Sequence, residues 1–291
     1  MKVRRPIVAG QFYPGRRDTC LAEIKQCLEA RPVNAQLPET IVAGIVPHAG
    51  WTFSGDLAAM VFSAVRQQQD EIHTFVVFGA AHGYYGNAPA VYETGAWETP
   101  LGEIDVDQEL AEAIIETSSA IADAHAHRSE HSIEVQVPFI QYLFPEAKIV
   151  PILTPPHEQV VTLGERIDKI ISQQKDKSVV CIGSTDLTHY GPSYGFVPMG
   201  VGPGGVEWAS KVNDQKFIDL ALKLDAEGLL KSAAENCNAC GAGAAAATIA
   251  VAKALGKVKG ILLAHTNSNE VMLKKMGGAS RDSVGYAAIV F

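Results

Sequence analysis

The chain has 291 residues, 47% of them apolar, enough to bury a substantial core as one large α/β domain or two small ones; no linker divides it, so one domain is expected. Its 24 basic and 32 acidic residues give a formal charge of −8, and no run of Lys or Arg exceeds the pairs Arg4-Arg5 and Lys274-Lys275, which argues against a nucleic-acid groove. No window approaches the ~20 apolar residues of a membrane span, and an odd count of five cysteines fits free thiols in a reducing cytoplasm better than a disulfide framework.

Short β-branched runs alternate with helical patterns, which predicts α/β architecture: a central mixed, largely parallel sheet with helices on both faces. The first strand is expected over Thr40–Val46, followed by a helix over Ser54–Gln68 with Ser54 as its N-cap. A strand over His73–Gly79 precedes helices over Asp107–Thr117, capped by Asp107, and over Glu130–Leu143. Strands over Lys148–Leu153 and Ser178–Gly183 flank a helix over His157–Gln173. The stretch Tyr190–Gly205 holds six glycines and three prolines and reads as a long ordered loop or lid. Helices over Val206–Leu222, Ala226–Glu235 and the alanine-rich Gly241–Leu255 follow, the last one buried tightly on the sheet, and strands over Val258–His265 and Ser283–Phe291 close the chain.

Three polar clusters leave apolar strands directly: Pro47-His48-Ala49-Gly50-Trp51, Gly79-Ala80-Ala81-His82-Gly83 and Gly183-Ser184-Thr185-Asp186-Leu187-Thr188-His189. Ligands of open α/β sheets sit beyond the carboxyl ends of the strands, so these clusters are expected to meet in space. Two imidazoles, His48 and His82, in the same post-strand position form the core of a candidate metal site. Cys240, just before the alanine-rich helix, supplies a natural third ligand, and the positive helix end is expected to lower its thiol pKa. Asp186 and His189 suit proton transfer or ligand orientation, or else a turn cap and a residue packed under the lid. His131 and Glu134, three apart on an expected helix start, share a face; there Glu134 or Glu130 orients a histidine of the site, or the pair simply caps the helix.

These segments, with Ala9-Gly10-Gln11-Phe12-Tyr13-Pro14, Glu130-His131-Ser132-Ile133-Glu134 and Cys240-Gly241, resemble the Memo-like family nearly end to end. That family is the B component of the AmmeMemoRadiSam set and is similar in structure to the catalytic subunit of class III extradiol dioxygenases. The resemblance implies that fold and a metal held by His48, His82 and Cys240. It also implies a pocket Asp and His at Asp186 and His189, with Phe12, Tyr13 and Trp51 as lining. A metal-dependent redox enzyme follows, with iron, copper or zinc as the metal; a thiolate in place of the carboxylate of ring-cleaving dioxygenases favours copper(I), zinc or iron of altered potential. A small-molecule or peptide ligand in the pocket and a homo-oligomer are compatible with it. Two other readings stay open: a non-catalytic metal- or partner-binding scaffold using the same pocket, and Cys240 as a nucleophile with His189 as its base.

Overall fold

A computed structural model describes residues 2–173 and 177–291. In chain order, β1 (Val3–Arg4), α1 (Arg17–Ala30), β2 (Ala43–Val46) and α2 (Trp51–Gln68) lead into β3 (Thr74–Gly79), β4 (Ala90–Val91), β5 (Ala96–Thr99) and β6 (Gly102–Asp105). Next come α3 (Gln108–Thr117), β7 (Ile121–Ala122), α4 (Val137–Leu143), β8 (Lys148–Leu153), α5 (Gln159–Gln173), β9 (Val179–Ser184) and β10 (His189–Tyr190). The last third holds α6 (Pro203–Trp208), α7 (Asp214–Leu222), α8 (Ala226–Asn236), α9 (Ala242–Ala254), β11 (Ile261–Asn267), α10 (Ser268–Met276) and β12 (Ser283–Val290).

The main sheet has nine strands in the order β10-β12-β2-β9-β3-β8-β4-β7, with β11 also on β12. Its centre, β2-β9-β3-β8, is parallel. The pairings of β12 with β2, β10 and β11 and of β4 with β8 are antiparallel, while the edge pair β4–β7 is again parallel, so the sheet is mixed. β2, β3 and β9 are buried along their whole length, which their unbroken apolar runs require of strands covered on both faces. One face carries α2 and α4, where Trp51, Phe62, Phe75 and Phe139 pack together. The other carries α5 and α9, with Ile167, Val251 and their neighbours. Thus the sequence's α/β reading, with helices on both faces, holds. A second sheet of three strands, β1-β5-β6, was not foreseen.

Small residues decide how closely the layers approach. α9 is buried from Ala242 to Ala252, and its alanines let α5 lie against it: a Cβ on Gly164 would stand 2.5 Å from the Ala247 carbonyl oxygen. All five cysteines are free thiols, and among the described residues no helix is long and apolar enough to cross a membrane.

Several expected boundaries move for identifiable reasons. Ser54 does not cap α2; Gly50 does, because the Trp51 N–H is satisfied by the Phe12 carbonyl at 2.8 Å, and Ser54 instead donates to Ala49 O from within the helix. Asp107 does cap α3, accepting from Leu110 N at 3.1 Å. In place of the single helix expected over 130–143, residues 130–133 are non-helical, one 3-10 turn spans Glu134–Gln136 and α4 follows, while another 3-10 turn, Ala126–Ser129, comes just before, so His131 and Glu134 share no helical face. The helix expected from Val206 begins earlier, at Pro203, whose missing N–H is harmless in a first turn. It is interrupted by a π-helical segment, Ala209–Asn213, that turns Asn213 and Asp214 toward the loop after β9. The 190–205 stretch is ordered as a 3-10 turn, Pro192–Tyr194, held by Ser193 donating to Asp282 just before β12, and the start of α6.

Candidate metal centre

β2, β9 and β3 are parallel neighbours whose C-terminal ends are level, with Val46 opposite Ser184 and Phe78 opposite Gly183. The segments carrying His48, His82 and Asp186–His189 therefore leave the sheet at one edge. They line a cavity of about 390 Å³ together with Phe12 and His131. Two close approaches complete the assembly. A Cβ on Gly79 would lie 2.6 Å from Ile133, so only glycine lets the 131–133 segment reach β3. A Cβ on Gly241 would collide with the Ser184 carbonyl, so Gly241 lets Cys240 sit against the β9 loop.

The nitrogen ligand atoms of His48, His82 and His131 lie within 4.8 Å of one another. The rings of His82 and His131 stack at 5.1 Å with an 11° interplanar angle, and His48 meets both edge-on. Cys240 joins through His48, its Sγ 3.1 Å from Nε2, although the two residues are 192 positions apart. His131, expected in a supporting role, thus stands in the cluster itself. Its segment is irregular and shows no period, so only its density of titratable residues marked it beforehand.

Hydrogen bonds behind the rings fix which nitrogen is free. Ser184 donates its only hydroxyl proton to Ser132 O at 2.7 Å and accepts from Gln136, so it also accepts from His48 Nδ1–H at 3.1 Å, leaving His48 Nε2 bare. Glu130 accepts from His82 Nδ1–H at 3.0 Å and from the backbone N–H groups of His82, His131 and Ser132. Leu187 O accepts from His189 Nδ1–H at 3.0 Å, which fixes the orientation of the ring. Asp186 accepts from His48 N at 2.7 Å, tying the β9 loop to the β2 loop.

Electrostatics follow from this geometry. Burial opposes ionisation of Glu130, but the hydrogen bond and charge of His82 and the Ser132 N–H hold its carboxyl at about 2. Burial pulls His82 down, yet its bond to Glu130 raises it overall. Burial first, then the neighbouring imidazoles, depress His48 well below the usual histidine range; burial also lowers His131, so both hold lone pairs. Burial raises Asp186 against the hydrogen bond it accepts from His48. Cys240 departs from expectation: burial, then the Asp186 carboxylate, push its thiol up instead of down. Gly241, not Cys240, caps α9, so the helix end is a residue removed and its field does not prevail.

Other expected pocket residues distribute differently. Phe12 lies edge-on to His131 at 4.9 Å. Trp51 and Tyr13 are instead core residues: the Trp51 indole N–H donates to Val135 O and its ring packs on Phe139, and Tyr13 donates to Glu134. Glu134 turns from the histidines to Arg4 at 2.8 Å and to the backbone N–H groups of Ile7 and Val8, anchoring the N-terminal segment. Of the two acids weighed, Glu130 orients the ring. Asp214 had no signal in the sequence; it accepts from Thr188 N at 3.0 Å and pairs with His265, bracing the loop that carries His189.

Three imidazoles make a candidate metal site, with the Cys240 sulfur beside His48; a hydroxyl holds the rear nitrogen of His48 and a carboxylate that of His82, and nitrogen and sulfur donors suit borderline transition metals better than hard cations such as Mg²⁺. A family model described as Memo-like protein matches residues 4–290. A MEMO1 family protein of Thermococcus onnurineus is 40% identical, the match covering 99% of each chain. Another, from Methanosarcina barkeri, is 38% identical with 99% of each chain covered, and one from Pyrococcus furiosus is 39% identical over 99% of this chain and 98% of its own.

Proposed function

The chain belongs to the Memo-like family, and from that premise we propose that it is a metal-dependent redox enzyme, related to class III extradiol dioxygenases, acting on a small molecule in the 48–82–131 cavity. The observation that carries this reading is the gathering of the His48, His82 and His131 ligand nitrogens within 4.8 Å on a cavity wall. His48, His82 and Cys240 hold the metal, with His131 beside them, and iron is the metal we favour over copper or zinc. The metal, when bound, supplies redox and Lewis-acid chemistry that no side chain here provides.

The protein's own groups do the rest. His189, its Nδ1–H committed to Leu187 O, presents Nε2 as acceptor for a substrate proton and then as donor. Asp186 keeps the His48 and His189 loops in register through the His48 N–H. Phe12 closes one side against His131 and keeps water from that wall.

Anaerobically iron-loaded protein, challenged with catechols and other reductants while oxygen is followed, tests the reading. Uptake that depends on iron and falls at least about 100-fold in His189→Ala is expected for a general acid/base. Stoichiometric metal without uptake for any reductant would instead favour a metal-binding scaffold.

A further inference from the structure

A second cavity, of about 450 Å³, opens beside β1. Lys2, Arg4, Arg5, His125 and Arg128 line it along with Tyr92, and no carboxylate does. Both walls are fixed by backbone. β1 is paired to β5, with Val3 opposite Ala96, which places Lys2 and Arg5 on one side. The 3-10 turn Ala126–Ser129 places His125 and Arg128 on the other; Asp123, the acid of that turn, accepts the N–H groups of His125 and Ala126. Arg4 joins the walls: it donates to His127 O and Glu130 O, pairs with Glu134 and lies 4.0 Å from the Trp97 ring centroid.

Arg4 is therefore neutralised by Glu134, but Lys2, Arg5 and Arg128 make no ion pair among the described residues, and these side chains and His125 are exposed. In a chain of formal charge −8, three unpaired cations around one concavity repel each other unless an anion joins them. We propose that this cavity binds a small anion bearing two or more phosphate charges, a polyphosphate or phosphate ester. Arg5 and Arg128 both line the cavity, and guanidinium is the side-chain group that pairs with phosphate oxygens in geometry as well as charge. The cluster occupies one compact concavity on a chain of net negative charge, which selects a compact ligand over a nucleic acid or a membrane surface.

The probe is pyrophosphate, titrated calorimetrically at constant ionic strength into metal-free protein carrying His82→Ala, so that chelation at the metal centre contributes nothing. A saturable single site is expected, weakened by about tenfold or more in Arg5→Glu and in Arg128→Glu and little changed in Lys259→Glu, an exposed reversal elsewhere. The His125 ring resonances of otherwise unaltered protein should shift on titration. Absence of a saturable heat, equal weakening by Lys259→Glu, or an unmoved His125 signal would overturn the proposal.

Discussion

Glu130 shows how much one side chain can arrange. Its carboxylate accepts from the His82 ring and from three successive or neighbouring backbone N–H groups, so it sets both a ring orientation and the path of the 130–132 segment. Glu130→Gln keeps the size but loses the charge and half the acceptors; competition with a chelator should show metal affinity falling about 10- to 100-fold, and unchanged affinity would contradict the orienting role. His127 offers a test by pH. Burial, against its bond to Ala90 O, lowers it to about 4, from about 6.5 in the unfolded chain. The unfolded chain thus takes up a proton between those values that the folded protein refuses, so stability present above pH 6.5 declines as pH falls toward 4 and levels below it, by about 3 kcal/mol. Urea unfolding across that window should show a slope about one proton shallower in His127→Leu; an equal slope would contradict it. The positions of His48, His82, Asp186 and His189 were legible because each follows an apolar strand. His131 was legible only as a supporting residue and Asp214 not at all, since each reaches its place through irregular backbone: a segment between two 3-10 turns and a π-helical insertion.

Elements were legible where the local sequence holds all their determinants. β8 spans the expected residues, and α5 shows its apolar stripe at Val160, Leu163, Gly164, Ile167 and Ile170. The start of α2 was misread because its first N–H is satisfied by Phe12 O, a partner 39 positions away that no local pattern reveals. α1 escaped because its buried face is thin, three residues in fourteen, and β1, β4 and β7 because two residues make no period. The α5–α9 contact separates two opposing effects. Helix propensity alone makes Gly164→Ala stabilising by about 1 kcal/mol, but its Cβ would meet the Ala247 carbonyl at 2.5 Å and Ala250 Cβ at 2.7 Å, neither a flexible end. Overpacking should win, with a net loss of about 1–3 kcal/mol in urea unfolding; a more stable variant would show that the two helices can separate freely.

At the scale of the molecule, the sheet order brings together what the sequence keeps apart. The expected convergence of three post-strand clusters follows from β2, β9 and β3 being adjacent and parallel, whereas their order in the sheet, with β9 between β2 and β3, is set by long-range packing that no local pattern reports. Because the candidate donors come from positions 48, 82, 131 and 240, the cluster exists only in the folded chain, and a metal bound there would stabilise that state. Iron, copper or zinc at 100 times its dissociation constant should add about 2.7 kcal/mol, seen as a raised thermal midpoint absent in His82→Ala. The most direct test is elemental analysis of protein purified without an immobilised-metal column and reconstituted with each metal in turn. We predict one transition-metal ion per chain, lost in His48→Ala and His82→Ala and held more weakly in Cys240→Ser. Equal metal content in the His82→Ala protein, or none in the unaltered protein with any of the three metals, would contradict the account.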